Sequence, residues 1–319
     1  MKQSRPFPTL ITGMLILIIA NLMFGAVSIP LNEILKGFQQ GSDNYFTLHE
    51  YRLPRTLLAV LVGAMMALSG ALVQGVIRNP LASPDVLGVS HGAGLAAVIY
   101  MTYFPASSID WLPAVALVGG LLAALILWWL CGQSSSAIKL AITGVALAAL
   151  YASGVDFLML VKPLEINNAL LWLTGSLWGR GWHQLMMILP WLLLIPVAFW
   201  LAKSLNLIHL GDDTAMSLGI NANKLRLVSL AVAVGLTASC VAVCGPIGFL
   251  GLVAPHLTRK LVGGRHQTLL PATMLVGAIL LLVADLVART IDPPIELPAG
   301  LMTAIIGAPY FLWLLFRTK

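Results

Sequence analysis

Apolar residues in this chain neither alternate as in a half-buried strand nor recur three and four apart as on one face of a soluble helix. They run on for about twenty residues at a stretch. Segments of that length cross roughly 30 Å of hydrocarbon as helices, because a helix satisfies its own backbone polar groups where no water is present. The pattern predicts spans near 9–29, 54–77, 86–104, 111–131, 137–160, 185–203, 227–246, 248–262, 268–290 and 299–316. The fold class is therefore all-α, a polytopic membrane protein of about ten helices in a single transmembrane domain over 1–319, with both termini on one side. The first apolar run follows Lys2 and Arg5, as in a signal peptide, but its length and the many later spans predict an uncleaved first helix.

Four stretches interrupt the pattern. Residues 30–53 form one connection, and 79–88 (NPLASPDVLG) are too rich in proline and polar groups for continuous helix. Residues 162–184 contain LLWLTGSLWGRGW, apolar but short and broken by glycine, which predicts a re-entrant or interfacial segment with Trp172, Trp178 and Trp182 at headgroup depth. Residues 204–226 are the longest polar interval, with two short amphipathic pieces around Gly211 and with Asp212 and Asp213 at a helix N-terminus. A weak internal echo joins VGAMMALSGALVQG, from Val62, to VGLTASCVAVCG, from Val234. These lie five spans apart and so point in opposite directions, as inverted repeats do.

Composition agrees with a lipid-solvated chain: of 319 residues 59% are hydrophobic and 9% charged. The net charge of +6 does not indicate nucleic acid, because the 18 Lys and Arg residues are scattered between apolar runs. With the N-terminus inside, twelve of them fall on the cytoplasmic side and six (Lys36, Arg52, Arg55, Lys162, Arg180, Arg289) outside, which supports that orientation in an inner membrane. Cys131, Cys240 and Cys244 sit in apolar runs as small hydrophobes, and the dispersed histidines offer no metal-ligand spacing. No G-x-x-x-x-G-K-[ST] loop occurs, so the chain is not expected to be an enzyme, and any ATP hydrolysis belongs to another subunit.

Charged residues supply the remaining candidates. Arg52 and Arg55 frame Pro54 where the second span begins, and Arg289 ends the ninth. They are either cations snorkelling at the interface or forks for the carboxylates of an external partner. Asp156 and Asp285 lie inside apolar spans, where a carboxylate pairs, lines a pore or relays protons. The relay reading would make the chain an ion- or proton-coupled secondary transporter. An intramembrane enzyme finds no paired catalytic groups.

The runs EYRLPRTLLAVLVGAMMALSGALVQGVIRNPLASPDVLGVSHGAG, LGDDTAMSLGI, CGPIGFLGLVAPHLTR and ELPAGLMTAIIGAPYFLWLL resemble, in order, the FecCD family of permease subunits. These belong to ABC importers for iron chelates, haem and cobalamin. The resemblance covers nearly everything from Tyr51 onward and implies a BtuC-like type II importer fold. Within the family, LLWLTGSLWGR and ALVQGVIRNPLASPDVLG are most similar to ferric citrate permeases. The implied partners are a paralogous permease, two copies of a cytoplasmic ATPase that uses ATP and Mg, and a periplasmic binding protein. The resemblance assigns Arg52, Arg55 and Arg289 to binding-protein docking. Charge reversal at the first two is then expected to weaken docking while leaving folding intact. It assigns Leu210, Gly211, Asp212, Ala215, Leu218 and Gly219 to ATPase coupling. After Ser134, Ser135 and Ser136, it places an inner gate near Ala137 and Ile138, on a pathway-lining helix that also carries Asp156.

Overall fold

The computed structural model describes residues 6–132, 137–163 and 166–317. Its helices, in order, are α1 (Pro6–Met23), α2 (Leu31–Gly37), α3 (Leu53–Ile77), α4 (Val89–Tyr103), α5 (Leu112–Cys131), α6 (Ala137–Val161), α7 (Ile166–Leu173), α8 (Trp182–Ile188), α9 (Leu194–Ile208), α10 (Asp212–Ser217), α11 (Ala222–Cys244), α12 (Leu250–Val262), α13 (His266–Ala288) and α14 (Ala299–Arg317). Among the described residues there is no strand, and a single bridge joins Asp292 to Ile295. A wide helical stretch, Phe46–Arg52, runs straight into α3, and a tighter one at Leu189–Leu193 joins α8 to α9 across Pro190. With these joined, seven helices are long and apolar enough to cross a membrane. Helices α4, α12 and α14 lie where three further spans were expected, and α4 and α12, at fifteen and thirteen residues, are shorter than a full crossing.

Burial separates centre from periphery. In α3 and α11, 83% of the apolar window is enclosed by protein, against 11% in α1 and 28% in α6. Lipid does not drive apolar helices together, so the centre is held by close backbone packing and buried hydrogen bonds. A Cβ on Gly70 would lie 1.9 Å from the Gly251 carbonyl oxygen of α12, so only glycine permits that crossing. Ser69 Oγ lies 2.7 Å from Thr237 Oγ1 and donates to the Ala233 carbonyl at 2.8 Å, tying α3 to α11.

The break at 79–88 folds back into the protein. Gly88 packs against the middle of α6, at Gly144, Ala148 and Tyr151, so α4 begins at mid-depth, and its fifteen residues rise only about 22 Å. Likewise α12, thirteen residues and about 20 Å long, begins where Gly251 meets Met66 and Pro84. The two short helices leave mid-depth in opposite directions. Packing follows the same pairing: α3 lies on α13 as α11 lies on α5, and α4 on α5 as α12 on α13. This is the arrangement expected of the inverted repeat.

Two segments differ from expectation. Ser204–Ile208 continues α9, because Leu205 and Ile208 keep the helical apolar spacing and are fully buried, so the polar interval shortens to 209–221. Trp172 is 7% exposed and packs in the core, not at the interface, whereas Trp178 is exposed. The Trp182 indole is half-buried and donates to the His49 carbonyl at 3.0 Å.

Candidate functional site

At the end where α1 finishes and α3 begins, α1, α3 and α13 meet around three arginines. Arg52 is 3% exposed and its Nη1 donates to the Leu22 and Met23 carbonyls at 2.7 and 2.8 Å, with a further bond from Nη2 to Val27. These are carbonyls at the C-terminus of α1, where the helix has no acceptor partners of its own and a cation is favoured. Arg289 Nη2 bonds both oxygens of Asn21 at 2.6 Å. Arg55, 1% exposed, grips Asp285 bidentately at 2.8–3.1 Å and reaches Glu296 Oε2 at 2.5 Å. The Tyr51 phenol donates to the Glu296 carboxylate at 3.2 Å. Asp285 is completely buried and lies 3.7 Å from Arg289 as well.

Toward the middle, a cavity of about 490 Å³ is walled by the start of α4 (Asp85, Ser90, His91), by Ala152, Val155 and Asp156 of α6, by Thr174, and by Gly300, Leu301 and Ala304 of α14. Ser90 Oγ donates to Asp85 Oδ1 at 2.7 Å. Pro246 and Gly248, leading into α12, close another side. The loop after α7 is fixed by the Ser176 amide on the Cys244 carbonyl at 2.8 Å and by the Gly300 amide on the Gly175 carbonyl at 2.9 Å.

At the opposite end, α10 hangs between two glycines with positive φ, Gly211 (110°) and Gly219 (81°). These conformations reverse the chain sharply and suit glycine alone. Ala215 is fully buried, while Leu210, Met216 and Leu218 are 63%, 55% and 57% exposed. Asp212 accepts from Arg226 at 2.6–2.8 Å and also from Arg78. The Arg226 hydrogen bond, more than any other influence, holds its carboxyl below the usual carboxylate range.

Residues 13–317 match the model of the FecCD transport family. The chain belongs to that family. The FecCD chain is 49% identical to the Fe(3+) dicitrate transport system permease protein FecD of Escherichia coli, over 94% of each chain. It is 46% identical to the Fe(3+)-citrate import system permease protein YfmE of Bacillus subtilis, over 98% of this chain and 96% of that one. A solved metal-chelate type ABC transporter in an inward-facing conformation superposes with a TM-score of 0.88 at 32% identity, covering 97% and 98% of the two chains.

Within this FecCD chain Arg52, Arg55 and Arg289, the residues expected to dock a binding protein, come together with their side chains buried. Their guanidinium groups are enclosed and engaged by internal acceptors, because each faces carbonyls or carboxylates that have no water to turn to. Asp285 is held mainly by Arg55, 230 residues away in sequence, while Arg289, one helical turn along α13, lies 3.7 Å from it. Of the gate residues, Ile138 is 71% exposed, and the Ala137 side chain, like Ser134, Ser135 and Ser136, lies outside what the structure describes. Asp156 lines the cavity. Asp85, Ser90, His91 and Thr174 were not singled out from sequence, although the helix-breaking NPLASPDVLG contains the first of them.

Proposed function

We propose that this chain is the transmembrane permease subunit of an ATP-driven importer whose cargo is an iron(III) chelate, with ferric citrate as the specific ligand. The observation that carries this is the combination, in one FecCD chain, of a mid-depth cavity and a separate exposed apolar segment at the end where α9 and α11 meet. The cavity walls come from discontinuous helices, which is where transporters expose polar backbone to a cargo. Its acidic and mostly small side chains would hold an anionic chelate weakly, which suits passage over storage. The citrate assignment follows the two relatives above, whose names specify Fe(3+) dicitrate and Fe(3+)-citrate.

In this reading the half-apolar α10, with Leu210, Met216 and Leu218 outward, inserts into a groove of a cytoplasmic ATPase (FecE-like, two copies), which binds ATP and Mg. A paralogous permease (FecC-like) covers the open flank of α6 and α14, where the cavity wall is incomplete. A periplasmic binding protein (FecB-like) docks on the outer rim that Arg52, Arg55 and Arg289 brace from within. Both termini face the cytoplasm of a bacterial inner membrane. The proton-coupled reading loses one of its two acids, since Asp285 already neutralises Arg55.

The test is uptake of iron-55 as ferric citrate by the chain and its co-purified subunits in proteoliposomes carrying the binding protein outside. Uptake should require internal ATP and persist when a protonophore collapses the proton gradient. Uptake driven by the gradient without ATP would falsify the importer reading.

A further inference from the structure

The connection between α1 and α3 carries a face that neither the cavity nor the coupling segment uses. Its helix α2 has seven residues, LNEILKG. At roughly 3.6 residues per turn, Leu31 and Leu35 share one face, Ile34 and Gly37 take the next, and Asn32, Glu33 and Lys36 occupy the rest. The second of these faces is docked. Ile34 is buried in a cluster with Leu22, Ile29 and Leu48, and a Cβ on Gly37 would lie 2.3 Å from Leu48 Cδ1. The chain entering α2 is held too, by the bond from Arg52 Nη2 to the Val27 carbonyl.

The leucine face has no cover among the described residues. Leu31 and Leu35 are 60% and 81% exposed, and Val27 and Phe46, on either side of α2 in sequence, 67% and 71%. Exposed apolar positions lead into this face from α1, through Ile19, Phe24 and Val27, and no charged residue occurs between Arg5 and Glu33. Protein encloses only 11% of the apolar window of α1, so acyl chains solvate that helix, and the exposed positions of α2 continue the same surface.

We propose that α2 is an interfacial helix lying in the headgroup layer, with Leu31, Leu35, Val27 and Phe46 set among the acyl chains and Asn32, Glu33 and Lys36 turned to water. An apolar face bounded by protein on one side and by charged groups on the other fits a helix that lies on a bilayer beside its own bundle. A soluble partner that binds and leaves would return these side chains to water each time, whereas lipid is always present. Anchored there, α2 holds the segment whose Val27 carbonyl binds Arg52 at the entry to α3. The inference needs the membrane-spanning fold and not the identity of the cargo.

The experiment attaches a nitroxide to a cysteine introduced by Leu35→Cys, Leu31→Cys or Asn32→Cys in the full chain, held with its accompanying subunits in phosphatidylcholine nanodiscs. The native Cys131, Cys240 and Cys244 are buried, so the label goes to the introduced thiol. All three positions are exposed, and the changes spare the core. Power-saturation spectroscopy then compares collisions with oxygen, which concentrates in hydrocarbon, and with a water-soluble nickel chelate. The oxygen-to-nickel ratio should be several-fold higher at positions 31 and 35 than at 32. An equal ratio at all three positions overturns the proposal, because the leucine face is then in water. Shielding of 31 and 35 from both reagents overturns it as well, because a protein partner then covers them.

Discussion

Arg55 is a cation with 1% of its surface exposed, matched to two carboxylates, Asp285 and Glu296. Removing one member of such a group strands the others, at a cost of about 3–5 kcal/mol. Arg55→Ala should therefore lower the melting temperature of the detergent-solubilised chain sharply. The double variant Arg55→Leu with Asp285→Leu should recover part of that loss, since it removes the stranded Asp285 carboxylate while Arg289 loses a neighbouring counter-charge. Equal melting of single and wild type would show that the group contributes nothing. The sequence expectation was that charge reversal at Arg52 and Arg55 would leave folding intact, and the same melting measurement on those variants checks it. Asp212 behaves differently, being partly exposed. Because its carboxyl is held below the usual range, its ion pairs are intact at neutral pH and are lost as pH falls through that lowered value. Protease sensitivity between Ile208 and Asn221 should rise on acidification. Asp212→Asn should show the same sensitivity already at pH 7.

Helices α10 and α3 lend themselves to opposite tests. Helix α10 is anchored by one small residue, Ala215, and presents apolar groups outward, so changes to its outer face should spare the fold. Leu218→Asp is expected to leave the unfolding free energy within about 0.5 kcal/mol of wild type. The same change should weaken ATPase retention on size-exclusion chromatography. If the ATPase stays bound as before, α10 is not the contact. In α3 the limiting dimension is backbone separation. Gly70→Leu forces apart two main chains that cannot yield, as flexible side chains can, and should abolish monodisperse behaviour in detergent.

At the scale of the whole molecule, the apolar runs located the seven helices long and apolar enough to span, because span length is set by bilayer thickness and shows directly in composition. The inverted pairing was legible too, as an echo between α3 and α11. The burial of Arg52, Arg55 and Arg289 was not legible, because their partners Leu22, Asn21 and Asp285 come from other helices and no local pattern announces them. The cavity was hidden for the same reason: its walls come from α4, α6, α7 and α14 and from the connections at Asp85, Thr174 and Pro246, and only the proline-rich break hinted at one of them. The end of α9 was misjudged because Ser204 and Asn206 look polar, although Leu205 and Ile208 keep the helix docked.

The network that closes the outer end also bears on the order in which the chain is made. The carbonyls ending α1 are capped by Arg52 as soon as α3 enters the membrane, a separation of 25–30 residues. Arg55 enters at the same time, but its acceptor Asp285 is still 230 residues from being synthesised, and Asn21 waits 268 residues for Arg289. Until α13 arrives, a cation near the outer surface has no counter-charge and the first helix keeps an unsatisfied side chain. A chain interrupted before α13 therefore lacks the Asp285 carboxylate that encloses Arg55 in the finished protein, and the first helix is held in place only once the last third of the polypeptide is present.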